Sequence, residues 1–191
     1  LESMSGIENC HSLTSLDLSQ NRLEEMDCAV LANLTQLQSL WLNQNRITAI
    51  QGLEPLSRLS RLWLARNEIS CICDSLDSNL ALTELNLAGT QISNFKDVPN
   101  LARLRRLGSL CMSDPHFGES PVCALCNYQT YMLYHLQQLS MLDSYVIADE
   151  ARHLAEATYM KKKMYYNMRI KTLKRNTSNV IKKAMEARQA K

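Results

Sequence analysis

Glycine and proline are scarce, five and four among 191 residues, and neither clusters, which excludes flexible linkers and low-complexity tracts. No glycine-rich loop is present to cradle a phosphate. No apolar run reaches the roughly eighteen residues a membrane-spanning helix needs, and the first residues resemble no signal peptide. Seven cysteines, an odd number without framework spacing, exclude a disulfide scaffold and suggest a reducing compartment. His11, His116, His135 and His153 have no nucleophile or paired carboxylate at a matching position. The chain therefore reads as non-catalytic and without a cofactor.

A hydrophobic share of 46% is enough for a packed core. The net charge of +2 hides an asymmetry: residues 1–160 carry 10 Lys and Arg against 18 Asp and Glu, residues 161–191 carry 11 against 1. An acidic body thus precedes a basic tail. Beginning at Leu1 without methionine and ending inside a helical pattern, the sequence reads as a segment of a longer protein.

The strongest signal is a phrase repeated at 22 residues, Leu37-Gln-Ser-Leu40-Trp41-Leu42-Asn-Gln-Asn45-Arg-Ile47 and Leu59-Ser-Arg-Leu62-Trp63-Leu64-Ala-Arg-Asn67-Glu-Ile69. Related units start at Leu13, Leu82 and Leu107, so successive starts step by 24, 22, 23 and 25 residues. The two tryptophan units and the first fit L-x-x-L-x-L-x-x-N-x-[LI], and the later two fit it less closely, with Thr90 and Pro115 in place of the asparagine. One unit cannot bury its own leucines, so the units must stack. The pattern predicts an α/β leucine-rich repeat solenoid, right-handed, with a concave parallel sheet. Its asparagines serve backbone groups left unpaired where each strand bends away. Val30-Leu31-Leu34, Leu53-Leu56, Leu76-Leu80 and Val98-Leu101-Leu104 suit short helical or 3-10 returns on the convex side.

Three regions follow: repeats over 1–115, a terminal cap over 116–148, and a basic helix over 149–191. In the cap, Tyr128, Tyr131, Tyr134, Leu133, Leu136, Leu139 and Leu142 supply bulky cover. From Asp149 the chain has neither glycine nor proline, which predicts a long helix, with Asn176-Thr-Ser-Asn179 as the expected kink or restart.

Repeats of this length ending in Tyr128…Tyr134-His135-Leu136…Leu139…Leu142-Asp143 resemble the SDS22-like leucine-rich repeat class. That class includes a regulator of protein phosphatase 1, an axonemal dynein light chain and a spliceosomal protein. The resemblance covers roughly residues 5–155. The chain departs from it at Gln138, where a proline is usual, and at Ala148, where a serine or threonine usually caps the next helix. The tracts 113–128 and 160–171 are similar to large multi-array proteins of ciliated cells. What this implies is a cytoplasmic scaffold of a cilium or axoneme, with no catalytic residues. Phosphatase-1 binding and a nucleic-acid-associated role stand as the alternatives.

Strand alternation turns the residue between the core leucines outward, so Trp41 and Trp63 become neighbours about 4.8 Å apart on the concave sheet. Arg61 and Arg66 flank them, and Asp17, Asn43, Glu84 and Asn86 lie in the same outward columns. Exposed tryptophan beside arginine is the composition of protein-binding hot spots. The competing reading is that the rings only cover the sheet or pack on the C-terminal helix. Cys71-x-Cys73 and Cys123-x-x-Cys126 are imaginable as four zinc ligands, but sit about two repeats apart and read as small buried apolar side chains, with no metal expected. Lys161, Lys162, Lys163, Arg169, Lys171, Lys174 and Arg175 suit a polyanion, with tubulin's acidic surface ahead of nucleic acid. The same residues equally suit a solvated helical linker lying partly on the acidic solenoid.

Overall fold

The structure, a computed structural model, describes residues 1–189; the last two residues of the expected 149–191 helix lie outside them. Five three-residue strands follow from the repeated leucine phrase: β1 (Ser15–Asp17), β2 (Ser39–Trp41), β3 (Arg61–Trp63), β4 (Glu84–Asn86) and β5 (Ser109–Cys111). They pair in parallel, in chain order. A short β6 (Ser113–Asp114) and β7 (Gly118–Glu119) form a separate antiparallel hairpin. The main sheet then continues through β8 (Met141–Leu142), parallel to β5, and ends at an antiparallel edge strand β9 (Tyr145–Val146). The register stacks Leu16, Leu40, Leu62, Leu85, Leu110 and Leu142 in one column. From Leu40 onward that column is buried, joined by Leu42, Leu64, Leu87 and Met112 from the turn after each strand. This is the predicted α/β leucine-rich solenoid.

The convex returns are less helical than their spacing predicts. Only the first and fourth form helices, α1 (Cys28–Leu31) and α2 (Val98–Leu101). Asp27 caps α1, its carboxylate accepting from the amides of Ala29 (2.9 Å) and Val30 (3.2 Å). The second return makes only single turns, Leu56 N to Leu53 O and Leu59 N to Leu56 O, both 3.0 Å. Pro55 supplies no amide there. Gly52, at φ +72, lies so close to Cys28 that a Cβ would meet its Cα at 2.9 Å. In the third return Leu76 is buried but Leu80 is exposed, and Asn79 is buried beside it, its amide donating to Leu53 O (2.8 Å) and Leu56 O (3.1 Å).

The asparagine ladder joins each repeat to its neighbour. Asn45 Nδ2 donates to Leu18 O (2.9 Å) and Leu42 O (3.0 Å), and its Oδ1 accepts from Leu23 N (3.0 Å). Asn67 repeats this one unit later with Leu42 O, Leu64 O and Ile47 N. The later substitutions do not simply weaken the ladder. Thr90 Oγ1 donates to Leu87 O (2.8 Å), while Ser120, 30 residues downstream, accepts from Thr90 N (3.0 Å). At the last unit, where Pro115 has no amide side chain, Asp143 of the cap accepts from Met112 N (2.7 Å) and Ser113 N (3.0 Å). Its other oxygen accepts from Tyr128 Oη at 2.7 Å. Burial, followed by the nearby Asp143 charge, raises the Tyr128 hydroxyl far above its ordinary pKa, which fixes it as a donor.

The cap is a 3-10 turn at Pro121–Ala124 followed by α3 (Tyr128–His135). Leu133, Leu136, Leu139 and Leu142 cover the last core layer as expected. Gln138, standing where proline is usual, donates instead to Leu101 O at 2.9 Å. Tyr131 and Tyr134 do something the sequence pattern did not suggest: with Phe95, His135 and Tyr159 they form an aromatic cluster that seats the final helix. Phe95 and Tyr131 stack at 4.2 Å, Tyr134 and Tyr159 at 3.8 Å.

That helix, α4 (Asp149–Gln189), is continuous through 176–179, so the expected kink is absent. Thr172 and Thr177 return their hydroxyls to the carbonyls of Met168 (3.1 Å) and Leu173 (3.0 Å), which satisfies poor helix formers within the helix. Arg152 anchors its start on Gln137 O (2.8 Å) and Leu139 O (2.7 Å). Ala155 is buried, but every described side chain from Met160 to Lys182 is exposed. The basic segment therefore projects from the cap and does not lie along the acidic solenoid.

His135 sits inside the aromatic cluster, 3.3 Å from Tyr159 Oη, and burial, then the Lys163 charge, lowers its pKa from the ordinary 6.5. A histidine whose folded pKa is depressed lends stability that is complete above its unfolded pKa and lost as pH falls through the folded value. The attachment of α4 is expected to weaken as pH drops below about 6.5, and His135→Gln to flatten that dependence. Hydrogen exchange of residues 149–160 against pH reads it; equal slopes for both proteins would refute the role of this histidine.

Candidate functional site

The concave face carries most of the predicted binding residues, in an order set by register. Trp41 pairs with Trp63 across β2 and β3, and both are half-buried. Each ring is held by a charged residue from the following strand. The Arg61 guanidinium lies 5.7 Å from the centroid of Trp41, in cation–π range, and its Nε donates to Ser39 Oγ at 2.9 Å. Trp63 Nε1 donates to Glu84 Oε1 at 2.9 Å. Aromatic anchors are thus already oriented, so a partner would pay little rotamer entropy to use them.

Arg66 is exposed, in the left-handed region at φ +54, with its stem beside Gly89. A Cβ on Gly89, itself at φ +64, would fall 2.2 Å from Phe117 O, so only glycine lets the β6–β7 hairpin close over this end of the face. Asp17 is exposed at the other end, on β1. Asn43 and Asn86 are corrections. Only 6% and 4% exposed, they use their Oδ1 atoms on Ala65 N (2.9 Å) and Ala88 N (3.0 Å). The strands are three residues long, so position 43 lies past the strand end, where alternation no longer decides which way a side chain points. Asn86 stays within β4 at the register position of Trp63, but its short side chain folds back to accept from its own chain two residues on; the accessible patch is left to Trp41, Trp63, Arg61, Arg66, Glu84 and Asp17.

A groove of about 1060 Å³ opens elsewhere, beside the turns after the first strands, lined by Arg22, Glu24, Glu25 and Arg46 among others. An open, aromatic-centred face with charged edges is suited to a macromolecular surface.

Lys161, Lys162, Lys163, Arg169, Lys171, Lys174 and Arg175 are all exposed on the projecting part of α4, and Lys162 reaches back to the Asn127 side chain. Beside them Met164, Tyr165, Met168, Ile170 and Leu173 are exposed too. Among the described residues no helix is long and apolar enough to cross a membrane.

The cysteines differ from expectation. Cys71, Cys73 and Cys126 are exposed and only Cys123 is half-buried, so burial as small apolar side chains does not describe them. Desolvation pushes the thiols of Cys111 and Cys123 up to about 12 and about 11, with the Asp143 charge adding to both, and leaves them poor nucleophiles. Cys123 and Cys126 do not join Cys71 and Cys73 in any group of close donor atoms among the described residues.

Stacked short strands, a leucine column, an asparagine ladder and a terminal cap define a class of protein, the leucine-rich repeat solenoids. The leucine-rich repeat family model matches residues 15–173, and the chain belongs to that family. Among its relatives is the probable U2 small nuclear ribonucleoprotein A′ of Drosophila melanogaster, 26% identical over 162 residues. That match takes in 84% of this chain but 58% of the fly protein, so the chain spans little more than half its relative's length. The crystal structure of the Drosophila melanogaster SNF/U2A′ complex superposes with a TM-score of 0.69 at 25% identity, covering 81% of this chain and 86% of that one. A leucine-rich repeat protein of Leptospira interrogans superposes with a TM-score of 0.57 at 24% identity, covering 72% and 32%, a likeness of fold alone.

Proposed function

We propose that this leucine-rich repeat scaffold holds a protein partner against its concave face, with Trp41, Trp63, Arg61 and Arg66 at the centre and Asp17 and Glu84 as charged rim. The observation that carries this is the pair of register-matched indoles, each held by a charged group from the next repeat. Aromatic and arginine side chains preset in this way are what hot spots are made of, and rim charges govern approach and orientation.

The setting we propose is cytoplasmic, in a ciliary or cytoskeletal assembly. What supports it is the similarity of the tracts 113–128 and 160–171 to leucine-rich-repeat-containing protein 9. The fly relative's name places that protein in a small nuclear ribonucleoprotein and lends the ciliary setting no support. The two settings differ in what should bind. Pull-down from ciliated-cell extract, wild type beside Trp41→Ala/Trp63→Ala, tests the first; titration with purified fly SNF tests the second. Binding of SNF that depends on both tryptophans would keep the face and replace the partner class.

A second reading concerns α4, and its support is the full exposure of the basic residues from Lys161 to Arg175. This segment binds an acidic surface such as that of tubulin. Microtubule co-sedimentation should be lost on truncation at residue 160 and should fall steeply with added salt. Co-sedimentation unaffected by the truncation would eliminate it, and retention on RNA at equal salt would favour nucleic acid instead.

A further inference from the structure

The loop after β3 holds a second cluster that the concave-face function does not use. Cys71 and Cys73 flank the buried Ile72 with both thiols exposed, and Cys73 Sγ lies 2.9 Å from Cys71 Sγ. Cys73 takes the left-handed conformation, φ +51, which turns its side chain back toward Cys71. A third donor arrives from the next repeat. Asp97 occupies the N-cap position of α2, yet its carboxylate makes no cap bond to that helix. Its Oδ2 instead accepts from the amide of Ile72, between the two cysteines, at 3.1 Å. A second tether fastens the same loop, Asn100 Nδ2 donating to Cys73 O at 2.7 Å. One donor atom from each of Cys71, Cys73 and Asp97 thus lies within 4.8 Å of the others.

We infer that Cys71, Cys73 and Asp97 form a binding site for a thiophilic divalent cation of the zinc class. Two sulfurs and a carboxylate oxygen are a donor set that zinc accepts, and three protein ligands leave a fourth tetrahedral position open. Thiolates sharing one tetrahedral zinc at about 2.3 Å stand roughly 3.8 Å apart, so the two sulfurs must separate by about 1 Å. Both side chains are exposed, and a χ1 adjustment provides this without moving the backbone. Asp97 keeps Oδ2 on the Ile72 amide and turns Oδ1 to the metal, an arrangement in which the hydrogen bond orients the ligand. Binding releases one proton from each thiol to solvent and transfers no electrons. The open fourth position faces outward and takes water or a donor from a bound partner. The Cys123 and Cys126 pair plays no part.

Cobalt reports such a site directly through sulfur-to-metal charge-transfer absorption. The full chain, stripped with a chelator and kept under a non-chelating reductant, is titrated with Co2+ and then with Zn2+. The expected result is a charge-transfer band saturating at a single equivalent and removed by Zn2+. Cys71→Ser and Cys73→Ser should each abolish it. Asp97→Asn, which retains an acceptor for the Ile72 amide, should weaken cobalt binding by roughly tenfold or more, the loss that even an outer partner costs a metal site. Cys123→Ser/Cys126→Ser should leave the titration unchanged. Circular dichroism of each variant separates loss of the site from loss of the fold. No band in the folded wild type, a band surviving in Cys71→Ser/Cys73→Ser, or wild-type affinity in Asp97→Asn would overturn the assignment.

Discussion

Trp41→Ala/Trp63→Ala is expected to reduce capture of the concave-face partner to background while the solenoid stays folded. Truncating a hot-spot tryptophan costs a complex about 2 kcal/mol or more, and two together about 4 kcal/mol, a factor of roughly a thousand in affinity. The rings project from the sheet, and the leucine column behind them is untouched, so the thermal midpoint should move by only a few degrees, on the order of 1 kcal/mol. Arg61→Ala tests how the centre is organised. It removes the guanidinium over Trp41 and the bond to Ser39, and should weaken binding less than either tryptophan change. Glu84→Gln leaves an acceptor for Trp63 Nε1 but removes the rim charge. It should slow association and reduce its salt dependence, with little effect on dissociation. The measurement is quantitative mass spectrometry of proteins retained by wild type and variants, followed by titration of the retained partner. A partner retained equally by the double variant would remove the concave face from the function.

Asn67→Ala is expected to destabilise the fold by about 3 kcal/mol, since it strips the buried Ile47 amide of its acceptor and the Leu64 carbonyl of its side-chain donor, and leaves the Leu42 carbonyl with only Asn45 of its two. For a chain of this size that corresponds to a fall of roughly 6–12 °C in thermal midpoint. Asn67 is 4% exposed, so water cannot replace the lost partners without opening the turn. Asn21 supplies the contrast. It is half-buried at the first repeat, its amide donates only to Leu18 O and Ser19 O, and water can reach it. Asn21→Ala should cost about 1 kcal/mol. Calorimetry of both variants decides between this account and one in which leucine packing alone carries the array; equal losses at the two positions would favour the latter.

The concave columns show where one-dimensional reading stops. Trp41 and Trp63 stand where the alternation of Leu40, Leu42, Leu62 and Leu64 requires, because within a strand each side chain's direction follows from its neighbours'. Asn43, two residues on, belonged to the same alternation on paper but lies in the bend, where its amide serves the next repeat. The kink expected at 176–179 failed for a related reason. Threonine and asparagine are poor helix formers on average, but Thr177 finds a carbonyl acceptor one turn back.

The amino-acid sequence by itself determined the solenoid, its repeat length, the tryptophan pair, the capped end and the basic helix, because each rests on a period or a composition that local geometry enforces. Tertiary structure alone decided the rest. Ser120 and Asp143 complete the ladder from 30 residues away, Tyr131, Tyr134 and Tyr159 join two helices, and Asp97 meets Cys71 and Cys73 from the following repeat. Each of these contacts joins residues with no periodic relation along the chain, brought together only once the coils have stacked.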